Sequence, residues 1–427
     1  MRDRYVLRCY ACSKTYDDDG IALRCTAEHE PSFLHTEYSQ REFVVDEGAT
    51  GLLRYAAWLP LRERIHDVGR TAILPAEALR AFLPGNNVWI AFNGRWPEQG
   101  ALLPTATFKD LEAAGILGRF PRDGRTLVTA SAGNTAAALA RACGEYGVPA
   151  VIVAPEPAIA RLRFDEALHS CVRFVSIDGD STYDDAIAFA KGIASEDDAF
   201  VFEGGAANVA RRDAIATTLL AAVEKLRRLP AYYVQAAGSG AGAIAVHEAA
   251  KRLQADGRFG RTLPKVMLVQ NAPSTPIVDA WEQRATNEVE RLDAQTERAQ
   301  ARSIAATVLS TRIPPYAVAG GLRTILTESG GSATSVTNDD VWAASRAFES
   351  AFALLVEPAG AVALAGLRRL LRQGAIDRDA EILVHVTGGR PRADEPRHGV
   401  VPVVTVHRRD AHSASAWKAY TVSSATS

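Results

Sequence analysis

The sequence predicts an α/β fold: two open, twisted parallel-sheet domains with helices on both faces, preceded by a small cysteine-containing N-terminal segment. Two observations predict it. From about Thr126, short β-branched and apolar runs alternate with Ala-rich helical stretches, the rhythm of βα units whose parallel strands are covered on both sides. At 427 residues with 47% hydrophobic side chains, the chain can also bury the core that two such layers require.

Taken in order, residues 1–40 hold Cys9, Cys12 and Cys25. The Cys9-x2-Cys12 spacing is half of a zinc knuckle, and His29 or His35 would complete a tetrahedral set; thiols packed without metal are the plainer alternative. Five cysteines, an odd number, do not make a disulfide framework, which points to a reducing compartment. The runs Thr126–Ala130, Ala150–Ala154, Val172–Ile177, Ala199–Phe202, Tyr232–Ala236, Lys265–Val269 and Glu381–Val386 read as strands. Turns at Ser131, Gly238 and Thr387 are expected to open into helices, whose N-terminal amides suit an anionic ligand. Residues 283–303, dominated by Arg, Glu, Asp and Gln, read as a solvated helix, and the Ser- and Ala-rich tail 406–427 as poorly ordered.

A net charge of −2 and the lack of basic runs interleaved with aromatics argue against nucleic-acid partners. No apolar stretch approaches the length of a membrane span, so the expectation is a cytoplasmic protein without a membrane partner.

Chemistry gathers around Lys109, in Pro104-Thr-Ala-Thr-Phe-Lys-Asp-Leu-Glu-Ala-Ala114. Of 48 basic residues only seven are lysine, so a generic surface cation here would have been Arg. Lysine is the cation whose pKa falls on burial, which makes it the usual nucleophilic amine toward an aldehyde. Ser131-Ala-Gly-Asn-Thr135 follows the first predicted strand, and Ala237-Gly-Ser-Gly-Ala-Gly242 lies between a strand and a helix. Converging backbone amides there would hold a phosphate. An amine, a phosphate cradle and donors for a carboxylate together fit pyridoxal phosphate and an amino acid. The bland readings are a solvated lysine, a helix beginning at Thr135 capped by Ser131 and Asn134, and ordinary tight turns.

These segments, with Glu357-Pro-Ala-Gly-Ala361 and Thr387-Gly-Gly389, resemble in kind and order the fold-type II pyridoxal-phosphate enzymes of the tryptophan-synthase-β family. Within it, Cys25–Tyr38, Leu53–Pro60 and Phe108–Ala113 are similar to the threonine-synthase-like branch and, more closely, to its members that make cysteate. Thr107 and Leu111 depart from the Ser and Arg usual in enzymes that make threonine. The resemblance implies Lys109 as catalytic and cofactor-binding lysine, with Asn134 against the ring oxygen. It puts Gly238, Ser239, Gly240, Ala241 and Gly242 around the phosphate and Thr387 against the pyridine nitrogen. Thr105, Thr107, Ser131, Ala132 and Thr135 would bind substrate, with Arg95 and Arg323 as more distant anion partners. Related N-termini resemble a zinc ribbon with four cysteines; no fourth follows here, which leaves Cys9, Cys12, Cys25 and His29 as the expected set for a structural zinc, while the resemblance further implies a homodimer and β-replacement of phosphate on O-phospho-L-serine by sulfite. Water acting on O-phosphohomoserine, another small nucleophile, or a non-catalytic protein of this fold are the alternatives. Expected units are residues 1–40, a large cofactor domain of 41–120 and 228–405, and a smaller domain of 121–227.

Overall fold

The computed structural model describes residues 4–410 except 132, 161, 165, 166, 180, 288–292, 395–397 and 400–403. Six strands form the larger sheet, in the order Ser332–Val336, Lys265–Asn271, Tyr232–Ala236, Glu381–Val386, Asn87–Phe92 and Ala72–Pro75. Neighbours run parallel except the last pair, with Val384 opposite Ile90 and Val234. The smaller sheet is parallel throughout: Phe200–Phe202, Thr126–Ala130, Ala150–Pro155, Val172–Ile177 and Val404–Val406. Every residue of Ala150–Pro155 and Glu381–Val386 is buried, which is why these strands read as unbroken runs rather than alternating ones.

Helices close both faces. Pro358–Arg372 covers one face of the larger sheet, while Ala241–Asp256 and Val209–Leu226 pack on the other through Ile215, Leu219, Val246 and Tyr233. Tyr183–Glu196 lies on the smaller sheet and opens with a reciprocal cap between Thr182 and Asp185. The sheets apportion the chain differently from the expected ranges. Val404 and Thr405, expected with the larger unit, lie in a strand of the smaller sheet, and Val209–Leu226, expected with the smaller unit, packs on the larger sheet. Three residues are too few to display a period, and a helix buried on nearly all sides carries no sign of which sheet it joins.

Two further readings are corrected. Thr387 opens into no helix: Gly389–Arg390 pairs antiparallel with Leu355–Val356 instead. Of 283–303, the described helical part is Ala294–Ser303, begun by Asp293, whose carboxylate accepts from the Gln295 and Thr296 amides at 3.0 Å. Arg284, in the left-handed region at φ 52°, interrupts helix geometry before it. The start of the expected poorly ordered tail is anchored, since the buried Val406 ends a strand and the Arg408 amide donates to Asp178 at 3.0 Å; beyond 410 the tail lies outside the described residues, as do 288–292.

The N-terminal residues form a three-stranded antiparallel sheet, Thr15–Tyr16, Tyr5–Cys9 and Leu34–Tyr38. It is fastened to the helix Lys109–Arg119. Arg119 donates to both Asp18 oxygens, at 2.9 and 2.6 Å, and to the Ala22 carbonyl at 2.8 Å, with both charged side chains at most 3% exposed. Tyr5 completes the set, its hydroxyl 2.7 Å from Asp18. Desolvation alone would raise the Asp18 pKa, but the adjacent guanidinium outweighs it and holds the carboxyl below its ordinary range.

Candidate active site

Lys109 is the first residue of its helix and sits beneath a stitched loop. The Phe108 amide donates to the Thr387 carbonyl at 3.0 Å, and Gly389 donates to Ala106 at the same distance, so Thr387-Gly-Gly389 lies directly against the lysine loop. Gly388 has no room for a side chain: a Cβ there would stand 2.7 Å from Glu357 Cγ and 2.9 Å from Thr107 Cγ2. Thr105 donates its amide to Asp110 at 2.8 Å, and Arg390 donates to the Thr105 carbonyl at 2.7 Å. Burial pushes the Asp110 carboxyl up to about 7.

The Lys109 ammonium donates to Glu112 Oε1 at 2.6 Å and lies 4.2 Å from the Phe108 ring centroid. Glu112, 1% exposed, accepts a second bond from Arg211 at 2.7 Å, and Arg211 forks onto Glu203 at 2.8 and 2.6 Å. Burial lowers the lysine pKa, the Glu112 carboxylate pushes it back up, and Arg211 lowers it again. Behind Phe108 lies His385, buried, bonded to Asn93 at 2.9 Å and Tyr233 at 2.8 Å. Burial holds its pKa down to about 3, and the charge on Lys109 adds to that, so the ring is neutral at pH 7.

The glycine loop follows Tyr232–Ala236 and feeds the helix Ala241–Asp256. Gly240 has φ 73°, and a Cβ on it would collide with Leu322 at 2.3 Å, so the turn needs glycine twice over. Ser239 Oγ accepts from the Ala241 amide at 3.5 Å. In the other loop the helix begins at Asn134 rather than Thr135, with Gly133 preceding it; the Ser131 hydroxyl accepts from the Ala136 amide at 2.9 Å, while Asn134 is a first-turn residue and not a cap. Ala132 lies outside the described residues.

A cleft of about 1340 Å³ is lined by Thr105, Asn134, Glu357 and Arg390, with Arg95 and Arg141 among the other walls. Among the described residues, Lys109, Thr107, Ser131, Thr135, residues 238–242, Thr387 and Arg323 are not part of its lining; the Arg323 backbone amide bonds Tyr316. Sequence reasoning missed Glu112, Glu203, Arg211 and Arg390, and also the segment Thr307–Leu309, which touches both loops: Val308 packs beside Gly133 and Leu309 beside Gly238. The arrangement suits a phosphorylated aldehyde. An amine stands at a helix start against the Thr387-Gly-Gly389 turn, and the glycine loop opens a helix N-terminus whose amides suit a phosphate.

At the N-terminus, one ligand atom each from Cys9, Cys12, Cys25 and His29 lies within 4.8 Å of the other three. Cys9 Sγ is 3.3 Å from His29 Nε2 and Cys12 Sγ 3.6 Å from Cys25 Sγ. His35 instead packs on the Tyr10 ring.

Residues 66–388 match the model of the family described as pyridoxal-phosphate dependent enzyme. The chain is 36% identical to the cysteate synthase of Methanosarcina barkeri over 410 residues, covering 95% of this chain and 97% of that one. It is 38% identical to the cysteate synthase of Methanosphaerula palustris, covering 96% and 95%. Among solved structures it is similar to maize serine racemase, with TM-score 0.57 and 16% identity over 75% of this chain and 88% of that one. It is also similar to the processed form of threonine deaminase isoform 2 from Solanum lycopersicum, with TM-score 0.56 and 20% identity over 85% and 94%. At those identities the two structures speak for the fold alone.

Proposed function

The chain belongs to the pyridoxal-phosphate-dependent enzyme family, and from that premise we propose that it converts O-phospho-L-serine and sulfite to L-cysteate and phosphate. The near-full-length likeness to cysteate synthases carries the reading. Bound pyridoxal phosphate supplies an electron sink for the pair left when Cα loses its proton. Lys109 would hold the cofactor through its aldehyde carbon, residues 238–242 its phosphate, Asn134 its ring oxygen and Thr387 its ring nitrogen.

In this reading the Lys109 amine takes the Cα proton and later returns it. The Cβ–O bond breaks with its electrons leaving on phosphate, and the sulfur lone pair of sulfite forms the new Cβ–S bond. Ser131, Ala132 and Thr135 would receive the substrate carboxylate, and Thr105 and Thr107, with Arg95 as a further wall of the cleft, would match the charge developing on the departing phosphate. A cytoplasmic homodimer is part of the proposal; among the described residues no helix is long and apolar enough to cross a membrane.

Steady-state assays separate the substrates. Phosphoserine with sulfite should give cysteate at a higher kcat/KM than phosphohomoserine with water gives threonine, and O-acetylserine should react far more slowly. Inorganic phosphate should inhibit competitively against phosphoserine. A larger kcat/KM for threonine formation would transfer the reaction to phosphohomoserine.

We also propose a structural zinc on Cys9, Cys12, Cys25 and His29. Zn–S bonds of about 2.3 Å in a tetrahedron set sulfurs about 3.8 Å apart, which the observed 3.6 Å separation nearly meets. Elemental analysis of purified protein should find one zinc per chain, and Cys12→Ser with Cys25→Ser should lose it. Wild-type protein free of zinc after preparation in its presence would leave only packed thiols.

A further inference from the structure

The four groups from Lys109 to Glu203 form one row in which charge alternates, ammonium, carboxylate, guanidinium, carboxylate, with the last three buried and the lysine end 21% exposed. Glu112 stands one helical turn from Lys109, the i, i+3 spacing that puts two side chains on one face. Its other oxygen is committed to Arg211, whose remaining donors are forked onto Glu203. Glu203 is fixed in turn by the Gly205 amide at 3.1 Å. The Glu112 carboxylate therefore has one oxygen held and one aimed at the lysine.

With Lys109 protonated the row is neutral. When the lysine gives its proton away, an excess negative charge is left in a place where Glu203 and Glu112 are no more than 2% exposed. Burying unpaired charge is costly, so the row draws a proton back to the end where Lys109 and Glu112 meet. An amine that takes a proton from Cα and must return it gains from such a reservoir.

We propose that Glu112 is a positioning residue that aims the Lys109 amine and retains its proton between abstraction and return. The proposal deepens the β-replacement reading, since it rests on Lys109 being the reacting amine. Of the other ionisable groups near this end, His385 from the strand Glu381–Val386 is held neutral, and Asp110, next to the lysine in the chain, turns its carboxylate to the Thr105 amide. Tyr183, from the helix packed on the smaller sheet, faces the Arg211 end and is kept protonated by burial. Of the facing groups, Glu112 is the one hydrogen-bonded to the ammonium.

The test measures Lys109 itself. In the full chain freed of cofactor, an amine-acylating reagent reacts only with the unprotonated lysine, and peptide mass spectrometry reads each lysine separately. Glu112→Gln keeps the size of the side chain and removes its charge. It should lower the Lys109 midpoint by about one pH unit, making labelling near pH 7.5 about tenfold faster. Glu112→Asp keeps the charge and should restore most of the wild-type pH dependence. Arg211→Gln frees the carboxylate for the ammonium alone and should move the midpoint upward, slowing labelling. This sign is opposite to that of Glu112→Gln and gives a second route if one variant fails to fold.

In the holoenzyme, Glu112→Gln should lower kcat and displace the pH profile with little change in KM for phosphoserine. Equal labelling curves for wild type and whichever of these charge-altering variants folds would overturn the role of Glu112. Labelling does not depend on which product the enzyme makes. A shifted Lys109 midpoint with an unaltered reaction profile would thus count against Lys109 as the reacting amine, and not against its pairing with Glu112.

Discussion

Lys109→Ala is expected to abolish turnover. On the proposed assignment, the substitution removes the amine that would meet the cofactor and the group that would move the Cα proton. Proton transfer by a positioned side chain alone is worth roughly 10²–10⁴-fold, so the combined loss should exceed that range. Borohydride treatment of wild type should fix the cofactor onto the peptide containing Lys109, and the variant should carry none. The remaining described lysines are engaged elsewhere. Lys225 donates to the Ile73 carbonyl at 2.7 Å and Lys251 pairs with Glu328 at 2.9 Å, while Lys14, Lys191 and Lys265 lie over the rings of Tyr16, Phe202 and Tyr232. A variant that still retains reducible cofactor would move the site to one of these.

Arg119→Leu should cost the fold about 3–5 kcal/mol, the usual penalty for breaking a buried pair and leaving one charge behind. Here the stranded group is Asp18, 3% exposed and shared with Tyr5. Urea unfolding at pH 7 should show the loss as a lower midpoint. The sign with pH follows from the depressed carboxyl. Its contribution in wild type is complete above the ordinary carboxylate range and is lost as pH falls through the folded-state value, so the gap between wild type and variant should narrow in acid. Asp18→Leu combined with Arg119→Leu should recover part of the stability, because no charge is then left unpaired. An Arg119→Leu midpoint equal to wild type would mean the pair holds nothing.

Much of the architecture was legible because buried parallel strands are written as contiguous apolar runs: all seven expected runs are strands, with ends shifted by at most two residues. Ala72–Pro75, Ser332–Val336 and Val404–Val406 escaped notice because edge strands are short or mixed with polar residues and depend on a neighbour for pairing. Asn87–Phe92 was also missed, its apolar run following Gly-Asn-Asn directly. Around the lysine, the small-residue turns were legible because glycine and serine beside a strand end carry a local reason for being there. Glu112 and Arg211 carry none: they are 99 residues apart in the chain, and only the packing of two helices brings them together. Thr387 was expected before a helix because a Gly-Gly turn says that the chain bends and leaves open where it goes.

The helix that begins at Lys109 ends at Arg119, about 15 Å away at about 1.5 Å per residue. It is therefore a stiff rod with the Lys109 amine, the proposed reacting group, at its tip and the first forty residues moored to its tail. Slack at the mooring should be felt at the tip as a change of aim. On the proposed assignment, stripping metal from the N-terminal cysteines would disarm the lysine by mechanics, with every group around the cofactor still in place.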